Sequence, residues 1–247
     1  MITYTKKNRF FKIHISWFGY KFKLWDIFSF NSCFHIKNYG SVKIPGIRQD
    51  SHTIEIDLEQ DEETLFNNVS KQIRQQYRIS ETEGIKTHFS KDIDTFVDFF
   101  NDFAKKRGTF TTSRERLLEL GDSLELCFAQ KDDQVLVAHT YLVDKEAGIV
   151  RHHHSATTRL DENIDKNLIG RANKYMLVKN ILHYKSQGFK IFDMGGYAAN
   201  TTDEGLQGIN RFKMMFGGKV VPCINFYSYN YWLFKKLSAK LGMSAEV

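Results

Sequence analysis

The chain has 247 residues, 42% hydrophobic and 26% charged, the balance of a globular protein with one large domain or two small ones. Its three cysteines are scattered and odd in number, which excludes a disulfide framework and a paired-cysteine zinc site and points to a reducing, cytoplasmic home. Net charge is +6, no apolar run approaches the roughly 18 residues a membrane span needs, and nothing after the basic start reads as a signal peptide.

The charge is uneven. Residues 1–48 hold nine lysines and arginines against Asp26 alone (nine minus one, or +8), so the rest of the chain sums to −2. Aromatic residues such as Phe10, Phe11, Trp17 and Trp25 lie among these cations. Basic plus aromatic suits an anionic surface: lipid headgroups at the inner membrane face, nucleic acid or a nucleotide-linked substrate. The same residues also alternate with period two, as in strands whose lysines face outward.

In chain order, residues 9–18 and 20–30 read as strands meeting near Gly19, and residues 31–50 as irregular chain with a turn at Pro45-Gly46. Residues 53–58 alternate as a strand, and 61–82 carry one helix with acids in its first turn. On that helix Arg74 and Arg78 are neighbours, four residues apart. After Gly84 come a strand at 85–89, a helix marked by Ile93, Phe96, Phe100 and Phe103, and a shorter helix over 113–120. Strands at 124–129, 134–143 and 148–155 follow, joined by hairpin-length loops. A long helix over 167–187 ends at Gly188, and residues 190–192 form a buried strand that stops at Asp193, Gly195 and Gly196. Thr202 or Asp203 caps the next helix, whose apolar stripe is Leu206, Ile209, Phe212 and Phe216 with Lys213 at its edge. Gly217 and Gly218 end it, a strand over 220–226 follows, and 231–241 is a last helix.

The pair Asp193-Met194-Gly195-Gly196 and Gly208-Ile209-Asn210-Arg211-Phe212-Lys213-Met214-Met215-Phe216-Gly217-Gly218 resembles the "D-x-GG … FK-x-x-FGG" signature of the Fem-like acyltransferases, a branch of the N-acetyltransferase (GNAT) superfamily. The helix-then-strand segment from Leu65 to Ser90 is similar to the one that precedes the acyltransferase half of these enzymes. The resemblance implies an α/β (α+β) fold with a mixed, mostly antiparallel sheet flanked by helices. It implies a reduced, strand-rich first half over 1–83, a GNAT unit over 84–228 and a terminal helix over 229–247. The strands at 148–155 and 190–193 should then be adjacent and parallel.

The resemblance also assigns roles. GNAT enzymes bind the diphosphate of coenzyme A at the start of the long helix through [Arg or Gln]-x-x-Gly-x-[Gly or Ala]. Here Asn167-Leu168-Ile169-Gly170-Arg171-Ala172 stands at that place, departing at Asn167. Phe212 and Lys213 fall on the Phe-Lys of the signature, where lysine meets the acceptor or the transferred group, and Tyr197 would protonate a leaving thiolate. Asp193, from its place at the strand end, has three readings: it orients the substrate amine, takes its proton, or only caps the glycine turn. In Arg151-His152-His153-His154, an unbroken strand puts His152 and His154 on one face, and either could be the general base. His139 is a rival, and no metal is expected.

Three functions follow. One is N-acylation of an amine acceptor, such as a nucleotide-linked amino sugar for surface polysaccharide, using acetyl-CoA or another acyl-CoA as cosubstrate. The second is Fem-type transfer from aminoacyl-tRNA to a peptidoglycan precursor, with Arg74 and Arg78 on the substrate side. The third is a catalytically silent binding module of the same fold at a membrane surface, reached through residues 1–48.

Overall fold

The computed structural model describes residues 1–7, 11–19, 29–37, 45–161 and 163–240. It forms two compact units that do not follow linear order: one holds residues 1–53, 196–199 and 220–247, the other residues 54–195 and 200–219. The units therefore do not divide at the expected boundary after residue 83.

In the first unit, β1 (Ile2–Lys7) pairs antiparallel with β2 (Lys12–Trp17), which pairs parallel with β3 (Phe30–Ile36). The strand expected over 20–30 lies almost wholly outside the described residues, and β3 occupies chain that the sequence marks as irregular. The late strand β10 (Lys219–Tyr227) runs antiparallel to β3, and α7 (Tyr229–Lys240) follows it. Their core is aromatic: Trp17 on Phe34, and Phe234 edge-on to Phe11, with ring centroids 4.7 Å apart in each pair. Much of the basic segment, residues 8–10, 20–28 and 38–44, lies outside the described residues.

The second unit begins within β4 (Ile47–Asp57) and continues through α1 (Glu62–Asn68), α2 (Lys71–Thr82), β5 (Lys86–Ser90), α3 (Ile93–Arg107) and α4 (Arg114–Leu118). Then come β6 (Leu124–Lys131), β7 (Gln134–Asp144), β8 (Ile149–Thr157), α5 (Lys166–Ser186), β9 (Ile191–Gly196) and α6 (Glu204–Met214). The strands lie in the order β4, β9, β8, β7, β6, β5. From β5 to β8 all neighbours are antiparallel; β8 and β9 are parallel, with α5 as the crossover. This is the mixed, mostly antiparallel sheet with flanking helices that the sequence implies, and its parallel pair is the expected one.

Helices cover both faces. On the α5 face Tyr141, Tyr184 and Phe192 pack with ring centroids 5.3 to 6.0 Å apart. On the α3 face Phe96 packs on Phe100 at 5.7 Å and on Phe128 at 6.5 Å. The single helix expected over 61–82 is two, because Val69 turns extended and the Ser70 N–H leaves the helix for the Met215 carbonyl, at 2.8 Å. The glycines after α6 serve this junction. A Cβ on Gly217 would stand 2.8 Å from the Asn68 Cβ, and one on Gly218 would stand 2.5 Å from Ile54 Cγ2. Among the described residues, no helix is long and apolar enough to cross a membrane.

Candidate active site

The site starts where two strands part. The β8–β9 ladder runs from Ile149↔Ile191 to Arg151↔Asp193, and β8 then continues to Thr157 without β9. Just past the last β8 pairing, Gly195 on β9 has a φ of +89°, a backbone conformation that favours glycine. At the fork Asp193 is 1% exposed. Its Oδ2 accepts from Arg151 Nη1 at 2.9 Å and its Oδ1 accepts from the Gly195 N–H at 2.7 Å.

Helix α6 brings Lys213 to the same point. Asp203 caps the helix by accepting from the Leu206 N–H at 2.8 Å. A Cβ on Gly195 would stand 3.4 Å from Lys213 Nζ and 3.6 Å from Arg151 Nη2, so glycine gives two cations room to converge. Burial, and then the Arg151 charge, lower the Lys213 pKa to about 8, while Asp193 works against them. Gly195→Ala combines a strained φ with crowding of the lysine. It should lower stability by about 1–3 kcal/mol in urea unfolding, and a smaller loss would mean that the fork relaxes freely.

The histidines do not gather as an unbroken strand would place them. Thr140 pairs with His154 and Tyr141 with His152, so His153 is an inserted residue, a β-bulge. The bulge puts His152 and His154 on opposite faces and corrects the expectation that they share one. His154 sits on the α3 face, 5.1 Å from the Phe100 ring, with Nδ1 at 2.9 Å from Thr140 Oγ1. His152 lies on the α5 face, its ring 4.3 Å from that of His139. Burial lowers the pKa of all four, to about 3 for His139 and about 4 for His154. Neutral imidazoles this weakly basic are poorly matched to general-base work near pH 7.

The start of α5 also differs from expectation. Residues 167–172 are helical from the first turn. The Asp165 carboxylate accepts from the N–H groups of Asn167 at 2.8 Å and Leu168 at 3.2 Å, and the Asp165 carbonyl accepts from Ile169 at 3.1 Å. Arg171 is held by Glu83 through two hydrogen bonds of 2.9 and 2.5 Å, and Ala172 is buried. The donors expected to hold a diphosphate are thus engaged, with a carboxylate in the anion's place. Asp165→Ala should cost about 1 kcal/mol in thermal unfolding and raise affinity for pyrophosphate in calorimetry. Unchanged pyrophosphate binding would show that Asp165 is not what fills this seat.

Ile169 and Gly170 do face an opening. A cavity of about 530 Å³ lies between the free end of β8 (Ser155, Thr157), the start of α5 with Asn173, and α6 with Gly205, Gly208, Ile209 and Phe212. Arg107 at the end of α3 and Arg159 just after β8 also line it. Among the described residues the lining holds no acid, so its only formal charges are positive. The α6 stripe thus points largely away from the core: Leu206 and Ile209 are 44% and 39% exposed, while Phe216 is buried. Phe212 lines the cavity beside Phe216, ring centroids 5.3 Å apart.

The fork gathers Asp193 and Lys213 of the expected residues and adds Arg151. Arg74 is bonded to Asn67 Oδ1 at 2.8 Å, Arg78 is exposed on α2, and neither lines the cavity. Tyr197 belongs to the first unit, where its N–H donates to the His52 carbonyl at 2.8 Å. Arg107 and Arg159 gave no sequence signal, since each is one arginine among many polar residues. Among the described residues no three His, Cys, Asp or Glu side chains are grouped to hold a metal ion.

The fold has known counterparts. FemX superposes with a TM-score of 0.64 at 11% identity, covering 95% of this chain and 85% of its own. L-PGS from Bacillus licheniformis gives 0.61 at 10% identity, covering 97% and 85%. The C-terminal domain assigned to a lysylphosphatidylglycerol synthetase from Agrobacterium fabrum gives 0.60 at 10%, covering 99% and 86%. At such identities the likeness is one of fold. No protein-family model and no curated protein sequence matches the chain.

Proposed function

We propose that this chain is an acyltransferase that moves an activated acyl group onto an amine. The observation that carries this reading is the fork at Arg151↔Asp193, with Lys213 buried at it and a cavity along the freed end of β8. A carbonyl held at the fork lies beside the Lys213 ammonium. The amine attacks the carbonyl carbon, the C–N bond forms, and the carbonyl electron pair moves onto oxygen. Lys213 stabilises that oxyanion in a site largely withdrawn from water. The intermediate then collapses, the bond to the leaving oxygen or sulfur breaks, and the leaving atom takes up the proton that the attacking nitrogen sheds. With the histidines held neutral and weakly basic, the amine enters already deprotonated.

For the donor, the Asp165 carboxylate at the α5 terminus favours an aminoacyl ester of tRNA over a thioester of coenzyme A. The resemblance of Asp193–Gly196 and Phe212–Gly218 to the Fem-like signature supports the same choice. The acceptor would be an amine of a cell-envelope precursor, an amino sugar or a peptidoglycan-type peptide. The basic residues 1–48 would hold the protein near tRNA or an anionic membrane.

The test is mass spectrometry of acceptor mixtures after incubation with aminoacyl-tRNA or with acetyl-CoA. Transfer from aminoacyl-tRNA is expected. Transfer from acetyl-CoA alone would restore the coenzyme reading. Absence of transfer with either, in protein that binds anionic vesicles, would favour the silent module.

A further inference from the structure

Beneath the cavity runs a chain of buried hydrogen bonds whose direction can be worked out from chemistry. Cys127 Sγ donates to Asn180 Oδ1 at 3.5 Å, and Asn180 Nδ2 donates to the Tyr141 hydroxyl oxygen at 2.7 Å. Tyr141 has one proton to give, and its other neighbour is His139 Nδ1 at 3.1 Å. That nitrogen therefore accepts, and the proton of the neutral ring sits on Nε2. Nε2 is 2.9 Å from Asn173 Oδ1, which must accept. Asn173 lines the cavity, and its Nδ2 is the group left to face it.

We propose that Asn173 presents its amide N–H₂, and never its oxygen, to a ligand in the cavity, and that His139 is the positioning residue that sets this orientation. The ligand portion is an oxygen-rich anion such as a phosphate ester. Arg107 and Arg159 supply the cations around it, and among the described residues no carboxylate lines the cavity. Every link of the relay is at most 1% exposed: Cys127, Asn180, Tyr141 and His139. Burial keeps each proton in place. The Cys127 thiol is pushed up to about 12, the Tyr141 phenol is raised, and His139 is lowered to about 3. The nearest other titratable ring, His152 at 4.3 Å, is likewise held neutral.

The ligand half of this inference rests on the cavity being the donor's seat; the relay half does not. Long-range ¹H–¹⁵N NMR of the full chain should find His139 as the Nε2–H tautomer and uncharged at pH 6. An Nδ1–H tautomer or an imidazolium would overturn the relay. Binding is read by calorimetry with 5′-phosphorylated CpCpA and with coenzyme A as probes. Asn173→Ala should weaken the bound probe about tenfold, and Asn173→Asp more. Tyr141→Phe, which does not line the cavity, frees His139 to change tautomer and should weaken binding several-fold in wild type but not further in Asn173→Ala. Melting curves confirm folding of each variant. Additive effects of the two substitutions would overturn the positioning role. If neither probe binds wild type, the donor-seat reading and the ligand half fall together, while the NMR result still decides the relay.

Discussion

On the proposed function, Lys213→Met should give a protein that is more stable and nearly inactive. The ammonium sits at the fork with Arg151 beside it, and its pKa falls from 10.5 to about 8. Between those two values the unfolded chain holds a proton that the folded chain lacks, so stability rises with pH across that window. Below pH 8 the folded state carries the cost of a buried charge, on the order of 3 kcal/mol at pH 7. Methionine keeps the stem and removes this cost. The variant should therefore unfold at higher urea than wild type at pH 7, and the gap should close by about pH 10.5. Loss of one charge facing a developing oxyanion typically costs roughly 100- to 1,000-fold in turnover. Wild-type turnover should fall as pH rises through about 8, where the ammonium is lost. An unchanged rate in the folded variant would mean that Lys213 only fills space.

Asp193→Ala should be the most damaging single change for stability. It leaves the Arg151 guanidinium, 11% exposed as a side chain, without the carboxylate 2.9 Å away, and leaves the Gly195 N–H without its acceptor. Removing one member of a buried pair typically costs about 3–5 kcal/mol, because the remaining charge stays desolvated. Replacing both members should cost far less. Arg151→Met with Asp193→Leu fills similar volume without burying charge, and urea unfolding should recover most of the loss. If the double variant is as unstable as Asp193→Ala, the pair is structural in a way that charge alone does not explain. If it is stable and also active, the fork needs Lys213 alone.

What could be read in the sequence was local. The Asp203 cap and the Gly217-Gly218 stop each depend on a few adjacent residues and form as their chemistry dictates, whereas β9 runs past Asp193 to Gly196, beyond the stop that the acid and glycines mark in the sequence. The bulge at His153 was illegible, since an inserted residue shows only when β7 supplies its pairing, and that one insertion sends His152 and His154 to opposite faces. The engagement of Arg171 by Glu83, 88 residues earlier, left no local mark. The Asp165 cap could have been seen: an aspartate just before a long helix is a common cap, and it fills the seat that the GNAT resemblance gave to diphosphate. The apolar residues of α6 look like core from their spacing, but periodicity cannot tell a face that meets a sheet from one that lines a cavity.

The interleaving of the two units bears on how the chain is made. The second unit is almost one continuous stretch, so its contacts can form as it emerges from the ribosome. The first unit cannot close then. The Asn31 N–H donates to Ser228 Oγ across 197 residues, and β3 must wait for β10. At about 5–20 residues per second, that wait lasts roughly 10–40 s. During it β1, β2 and β3 present Ile13, Ile15, Trp17 and Cys33 with an unpaired strand edge. The high density of lysine and arginine in residues 1–48 then acts as a guard. Mutual repulsion between nascent chains on neighbouring ribosomes keeps these edges from joining each other before their own partner arrives.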